Sequence, residues 1–227
     1  MEGIPEQNTV SKPIEIKNLK RYLKKEDAVC KLITGSGTGF FCKFTVNDRT
    51  MKALFTNNHV LKEDLIKENS IIQLRHNDAI KEIKITSNRF KCTNEDLEYT
   101  FIEIFDNEDY NNFFEIDDNI NCQNPDVQYG NKLCVILQFP NNQDLSCGEG
   151  LIEGIKNAND TNIIIHKITT DFGSSGSPIV LSDNLKIIGI HCRRKDKDTN
   201  IGIYFKNILR DIEKKQNNNI YIIGSNK

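Results

Sequence analysis

The stretch Asp171-Phe172-Gly173-Ser174-Ser175-Gly176-Ser177-Pro178 decides how this chain is read. It sets one serine in a glycine-flanked turn, closes the turn with proline and runs into the apolar Ile179-Val180-Leu181. A serine hydroxyl is a weak nucleophile unless a base and an oxyanion site are built around it. The glycines let the backbone fold sharply enough to aim the N–H groups of Gly173 and Ser175 at one point. Ser175 is therefore a candidate nucleophile, and Gly173 and Ser175 are candidate oxyanion donors. The pattern calls for a base elsewhere in the chain.

The chain has four histidines: His59, His76, His166 and His191. His59 lies in Leu54-Phe55-Thr56-Asn57-Asn58-His59-Val60-Leu61, where an apolar strand enters a polar turn. There an imidazole can be held by backbone and still face a cleft. His76 and His166 read as structural, His166 as a strand residue in Ile163-Ile164-Ile165-His166-Lys167. An acid is offered by Glu95-Asp96-Leu97-Glu98-Tyr99-Thr100-Phe101-Ile102-Glu103-Ile104, with Asp96 and Glu98 as candidates.

The combination of Thr56-Asn57-Asn58-His59-Val60-Leu61, an acid-bearing strand and Gly173-Ser174-Ser175-Gly176-Ser177-Pro178 resembles the trypsin-like serine proteases. It looks closest to the branch of the glutamyl endopeptidases and the high-temperature-requirement proteases, over roughly residues 28 to 212. The order His, acid, Ser is that of the chymotrypsin fold. His59 and Ser175 are 116 residues apart, enough to place them on separate barrels that meet at a cleft. The resemblance implies an acid followed by apolar, small, apolar, apolar, polar and apolar residues. Glu98 at the acid position satisfies every place. Asp96 there would put Glu98 at a small buried position, an unpaired buried charge. Glu98 is favoured over Asp96, although the family's usual acid is aspartate. The implied roles are Ser175 as nucleophile, His59 as general base and then acid, and Glu98 as the orienter of His59.

Thr170 and His191 stand where glutamyl endopeptidases, and viral proteases that cut after glutamine, line the S1 pocket. The resemblance thus implies a preference for Glu or Gln at P1, with Arg193 and Arg194 adding positive charge nearby. Digestive trypsins carry an aspartate before the nucleophile that pairs with a newly cut N-terminus. This chain has Ser174 there and no matching cleavage site, so that zymogen switch is not expected. No cysteine follows His59, which removes the family's usual disulfide. The residues past the protease region are too few for an added PDZ-type domain.

Short apolar runs between Gly, Asn and Asp turns recur from Ala28 onward and predict an all-β fold. With the resemblance, this becomes two antiparallel six-stranded β-barrels, over 28–115 and 116–204. An N-terminal arm at 1–27 precedes them, its basic second half read as the solvated face of a short helix. Phe205, Ile208, Leu209 and Ile212 fall at i, i+3, i+4 and i+7, predicting a C-terminal helix over 205–216 before a tail at 217–227. The Asn/Asp-rich segment from Asp106 to Asp126 reads as the linker between halves.

A net charge of −2 argues against a nucleic-acid binder driven by overall charge. No apolar run approaches a membrane span. The N-terminus shows no basic segment followed by an apolar one. The seven cysteines are odd in number, widely spaced and without a C-x-x-C pair, which disfavours disulfides and zinc and fits a reducing, cytoplasmic setting. The expectation is a serine endopeptidase acting on protein or peptide, with no cofactor or metal. The alternative is a catalytically inactive trypsin-fold module that binds protein.

Overall fold

The computed structural model describes residues 14–158 and 161–224. After helix α1 (Ile16–Leu23), the first unit consists of β1 (Val29–Leu32), β2 (Gly37–Val46), β3 (Arg49–Thr56), β4 (Ile71–His76), β5 (Ala79–Lys84), β6 (Lys91–Asn94) and β7 (Tyr99–Glu103). The second consists of a short helix α2 (Pro125–Tyr129), then β8 (Leu133–Gln138), β9 (Ser146–Ala158), β10 (Thr161–His166), β11 (Pro178–Leu181), β12 (Ile187–Arg194) and β13 (Asn200–Tyr204). Helix α3 (Phe205–Gly224) follows directly.

Two hairpins in the first unit turn on residue pairs with positive φ: Asn47-Asp48 between β2 and β3, and Asn77-Asp78 between β4 and β5. Positive φ at both central positions matches the twist of the flanking strands, and Asn and Asp tolerate it best after glycine. The central strands alternate between two cores. Phe41, Leu54 and Ile102 point into a cluster with Leu32, Ile72, Leu74 and Ile83. Phe40, Phe55 and Phe101 point the other way, into a cluster shared with the second unit and with Phe205, Ile208 and Ile212 of α3. Burial on both faces explains why these strands read as continuous apolar runs rather than alternating ones.

The second unit is the expected closed six-stranded barrel, in the order β10-β13-β12-β11-β8-β9. The first departs from expectation. It is a seven-stranded sheet ordered β5-β4-β1-β2-β3-β7-β6, and among the described residues its two edges do not pair with each other. The extra strand, Lys91-Cys92-Thr93-Asn94, is too polar to stand out in the sequence. Its side is covered by α3 instead of by another strand. Lys215 Nζ donates to the Thr93 carbonyl at 2.8 Å, and Asn94 Nδ2 and Tyr99 OH donate to Asp211 at 3.0 and 2.6 Å. A helix laid over a strand edge is one way to protect its unpaired groups.

The chain crosses between units at Glu115: Phe114 bridges Cys42 of β2, and Ile116 bridges Ile187 of β12. The basic arm is only partly solvated. Lys17, Lys20 and Lys24 are exposed, but Arg21 donates to the carbonyls of Ser182 and Asp183, and Tyr22 is buried against Ser182 and Glu149. The C-terminal helix runs through most of the segment expected as a tail; 225–227 lie outside the described residues. None of the described helices is long and apolar enough to cross a membrane. All seven cysteines are free thiols.

Candidate active site

His59 sits in the turn after β3. The Asn57 carbonyl accepts from Val60 N at 3.2 Å and Leu61 N at 3.1 Å, which winds the backbone around the imidazole. Glu98 ends the turn between β6 and β7, with φ +46°. Asn57 Nδ2 donates to the Glu98 carbonyl at 2.8 Å. Its carboxylate oxygen Oε2 accepts from His59 Nδ1 at 2.9 Å and lies 3.4 Å from His59 N. Burial pushes the Glu98 carboxyl up, but the hydrogen bonds and charge of His59, with Arg193 nearby, outweigh it and hold the group below its ordinary value. Asp96 is exposed in the same turn, and among the described residues its carboxylate has no hydrogen bond to His59. Since a carboxylate only accepts, His59 in its neutral form carries its proton on Nδ1, and the Nε2 lone pair is left as a base.

Ser175 is half-buried, and its Oγ donates to the Cys192 carbonyl at 3.1 Å. The sulfur of Cys192, His59 and Glu98 place one ligand-type atom each within 4.8 Å of one another. Cys192 therefore connects Ser175, through its carbonyl, with the His59–Glu98 pair, through its side chain.

The loop around Ser175 is held at every peptide. Gly176 N donates to His191 O at 3.0 Å, and His191 N to Ser177 O at 2.8 Å, tying the turn to β12. Gly176 has φ +89°, and a Cβ there would lie 2.2 Å from both Thr38 O and Thr56 Oγ1. Thr38 of β2 donates from N to Ser175 O at 2.9 Å and from Oγ1 to Gly173 O at 2.8 Å. Its hydroxyl also accepts from Phe139 N at 3.1 Å. Ser174 is fully buried; its Oγ accepts from Asp171 N at 3.0 Å, and its carbonyl accepts from Ser177 Oγ at 2.7 Å. The place of the trypsin aspartate is thus filled by bonds internal to the loop.

The segment after β8 completes the frame. Asn141 donates from N to the Phe172 carbonyl and from Nδ2 to Asp171 Oδ2 at 3.1 Å. In a trans peptide the carbonyl and the following N–H point opposite ways. With Phe172 O turned toward Asn141, the N–H of Gly173 faces away from that segment; Gly173 itself has φ +86°. Among the described residues no backbone carbonyl accepts from Gly173 N or Ser175 N. Two unoccupied donors on one loop are what an oxyanion site requires.

His191 is buried, and its Nδ1 meets Nε2 of His166 at 3.2 Å, while His166 Nδ1 accepts from Ile168 N at 3.3 Å. The chain of bonds fixes both tautomers. His166 is protonated on Nε2 and donates, so His191 carries its proton on Nε2. Burial lowers the His166 pKa to about 3, and burial together with the neighbouring imidazoles lowers that of His191 as well. Both rings are neutral at neutral pH. His191 Nε2 has no hydrogen bond among the described residues, yet it is not among the side-chain atoms sealed from solvent. Thr170 is buried and donates from Oγ1 to Asn200 Oδ1 at 3.0 Å, which leaves its oxygen as an acceptor. Arg194 Nη2 reaches the Thr170 carbonyl at 3.3 Å. Reading the sequence singled out neither Thr38 nor Asn141. It read His166 as a structural strand residue, and the structure adds that His166 sets the tautomer of His191.

A family model described as a trypsin-like peptidase domain matches residues 37–190. No curated protein matches the chain by sequence. Among solved structures, the active form of the Rv3671c protease from M. tuberculosis is similar with a TM-score of 0.63 at 13% identity, covering 90% of this chain and 88% of that one. The serine endoprotease from Yersinia pestis is similar at 0.62 and 12%, over 89% of this chain and 68% of that one. The HtrA-type protease AlgW with tripeptide is similar at 0.63 and 14%, over 88% and 64%. At such identities these structures share the fold. The sequence match over residues 37–190, which takes in His59, Glu98 and Ser175, carries the further conclusion that the chain belongs to the trypsin-like peptidase family and is a serine endopeptidase.

Proposed function

We propose that this protein cleaves peptide bonds through an acyl-enzyme on Ser175, with His59 as base and Glu98 as its orienter. The observation that carries the reading is the 2.9 Å bond from His59 Nδ1 to Glu98, which leaves Nε2 as the basic nitrogen. In the reaction the Ser175 hydroxyl turns from the Cys192 carbonyl to His59 Nε2 and attacks the scissile carbonyl. The N–H groups of Gly173 and Ser175 take up the oxyanion, a contribution of about 3–4 kcal/mol per donor. His59 then passes its proton to the leaving amine.

The pocket chemistry supports Glu or Gln at P1. A neutral N–H on His191 and an acceptor oxygen on Thr170 match the C=O and NH2 of a carboxamide, while Arg194 brings positive charge for a carboxylate. A fluorophosphonate probe should label Ser175 in the folded protein and fail to label His59→Ala. Absence of labelling in a folded sample favours the second reading, an inactive protein-binding module. The observation behind that second reading is the Ser175 proton lying on the Cys192 carbonyl. A P1 peptide library should show Gln or Glu; selection of Arg, Lys or large aromatics would sink the pocket assignment.

A further inference from the structure

The side chain of Cys192 has no part in the peptidase chemistry, yet its sulfur lies beside the two residues that supply the base and its acid. We propose that His59, Glu98 and Cys192 form a Zn2+ site, and that the ion inhibits the peptidase by taking its base. The inhibition rests on the roles proposed above for His59 and Glu98; the binding does not.

An imidazole nitrogen, a carboxylate oxygen and a thiolate sulfur are the donor types zinc takes, at about 2.0–2.3 Å. A tetrahedral ion with such bonds sets its ligand atoms roughly 3.3–3.8 Å apart. The three atoms already lie within 4.8 Å of one another, so closing by about 1 Å completes the set. They come from three separate backbone frames: the turn after β3, the β6–β7 turn and strand β12. The Glu98 carboxylate binds His59 through Oε2 alone, and among the described residues Oε1 accepts no hydrogen bond. His59 is the exposed member, giving the ion a path in from the cleft and leaving a fourth position for water.

Charge also balances. Zn2+ with one carboxylate and one thiolate is neutral, which suits a half-buried site. Burial and the neighbouring Glu98 raise the Cys192 thiol to about 12. A dication reverses that preference: the S–H bond breaks, the proton leaves to solvent and the S–Zn bond forms, with no change of oxidation state. Either ring nitrogen of His59 gives the same result. Zinc on Nε2 occupies the lone pair directly, and zinc on Nδ1 forces the ring proton onto Nε2.

The test uses the full-length Ser175→Ala protein titrated with Co2+ and then Zn2+. The expected result is one equivalent bound, with a thiolate-to-cobalt charge-transfer absorption that Zn2+ abolishes. Cys192→Ala in the same background should lose that absorption. In protein with Ser175 intact, Zn2+ should block peptide hydrolysis and a chelator should restore it. Cys192→Ala should require roughly 100-fold more zinc, at the upper end of the 10–100-fold that loss of a supporting partner costs. No charge-transfer band in folded Ser175→Ala protein overturns the proposal, as does an equal band in Cys192→Ala. If Cys192→Ala does not fold, Cys192→Ser supplies the same comparison, and Glu98→Gln should keep a thiolate band but need more metal to reach it. A cobalt–thiolate band in a protein that never hydrolyses peptide supports the metal site and removes the peptidase reading. Hydrolysis indifferent to zinc, with no band, does the reverse.

Discussion

Glu98 holds a left-handed backbone conformation, φ +46°, which costs a residue with a side chain about 1–3 kcal/mol. The bonds from Asn57 to its carbonyl and from His59 to its carboxylate oppose that cost. They also show how a glutamate reaches the imidazole: the turn sets its Cα so that the side chain ends at His59 Nδ1. Glu98→Gln should lower kcat by up to about 10⁴-fold, the scale seen when a triad acid becomes an amide, because the amide permits the wrong imidazole tautomer. Asp96→Asn should leave kcat within error, and steady-state hydrolysis compares the two. His191→Ala should erase selection for Gln and Glu in a P1 profile while fluorophosphonate labelling of Ser175 persists. His59 and Glu98, which the structure pairs, could be picked out because the proposed chemistry restricts residue type at fixed spacing. Thr38 and Asn141 could not. They act on backbone carbonyls far away in sequence, and many residue types can supply a donor.

At the scale of elements, the segment after β8 and the turn before β11 form a clasp. Asn141, with φ +52°, holds the peptide before Gly173 by a backbone bond to the Phe172 carbonyl and holds the Asp171 side chain by a second bond. Removing a whole oxyanion donor costs about 10²–10³ in kcat. Asn141→Ala keeps the backbone bond and loses the bond to Asp171, so it should lower kcat by less, roughly 10-fold on that scale, with KM little changed. A rise in KM alone would show that the clasp shapes binding and not the oxyanion site. Elements were legible to different degrees for a physical reason. Strands of the shared core bury both faces and read as apolar runs. β6 lies at an edge under α3, exchanges hydrogen bonds with charged residues, and leaves no hydrophobic signature.

Across the whole molecule, the two units share one core and α3 closes it. Phe205 lies 5.1 Å from Phe55 and 6.4 Å from Phe40, ring centre to ring centre. The crossing between units is fixed by Asp117. Its carboxylate accepts from Tyr129 OH and Asn184 Nδ2, both at 2.8 Å, and from Asn119 N at 3.0 Å. Burial raises its pKa, but these bonds outweigh burial and hold it below the ordinary carboxylate value. A depressed folded pKa adds stability that is complete above the unfolded pKa of about 3.9 and is lost as pH falls through the folded value. Acid unfolding followed by circular dichroism should therefore show a loss beginning near pH 4, and Asp117→Asn should flatten that limb. An unchanged acid limb in the variant would assign the loss to other carboxylates. The expected chymotrypsin-like pair of β units holds at this scale, with the first unit an open sheet where a closed barrel was expected. Whether a sheet closes on itself or is completed by a helix depends on which partner reaches its edge, and local sequence does not carry that.

Thr38 lies 135 residues before Gly173, yet it fastens the carbonyls on both sides of Ser174. The loop that would cut peptide bonds is therefore shaped by the opposite half of the molecule. An isolated second barrel would own the serine without owning its geometry. The shape of the serine loop thus arrives with the docking of the two halves, and a chain whose halves are still apart lacks the two bonds that set it.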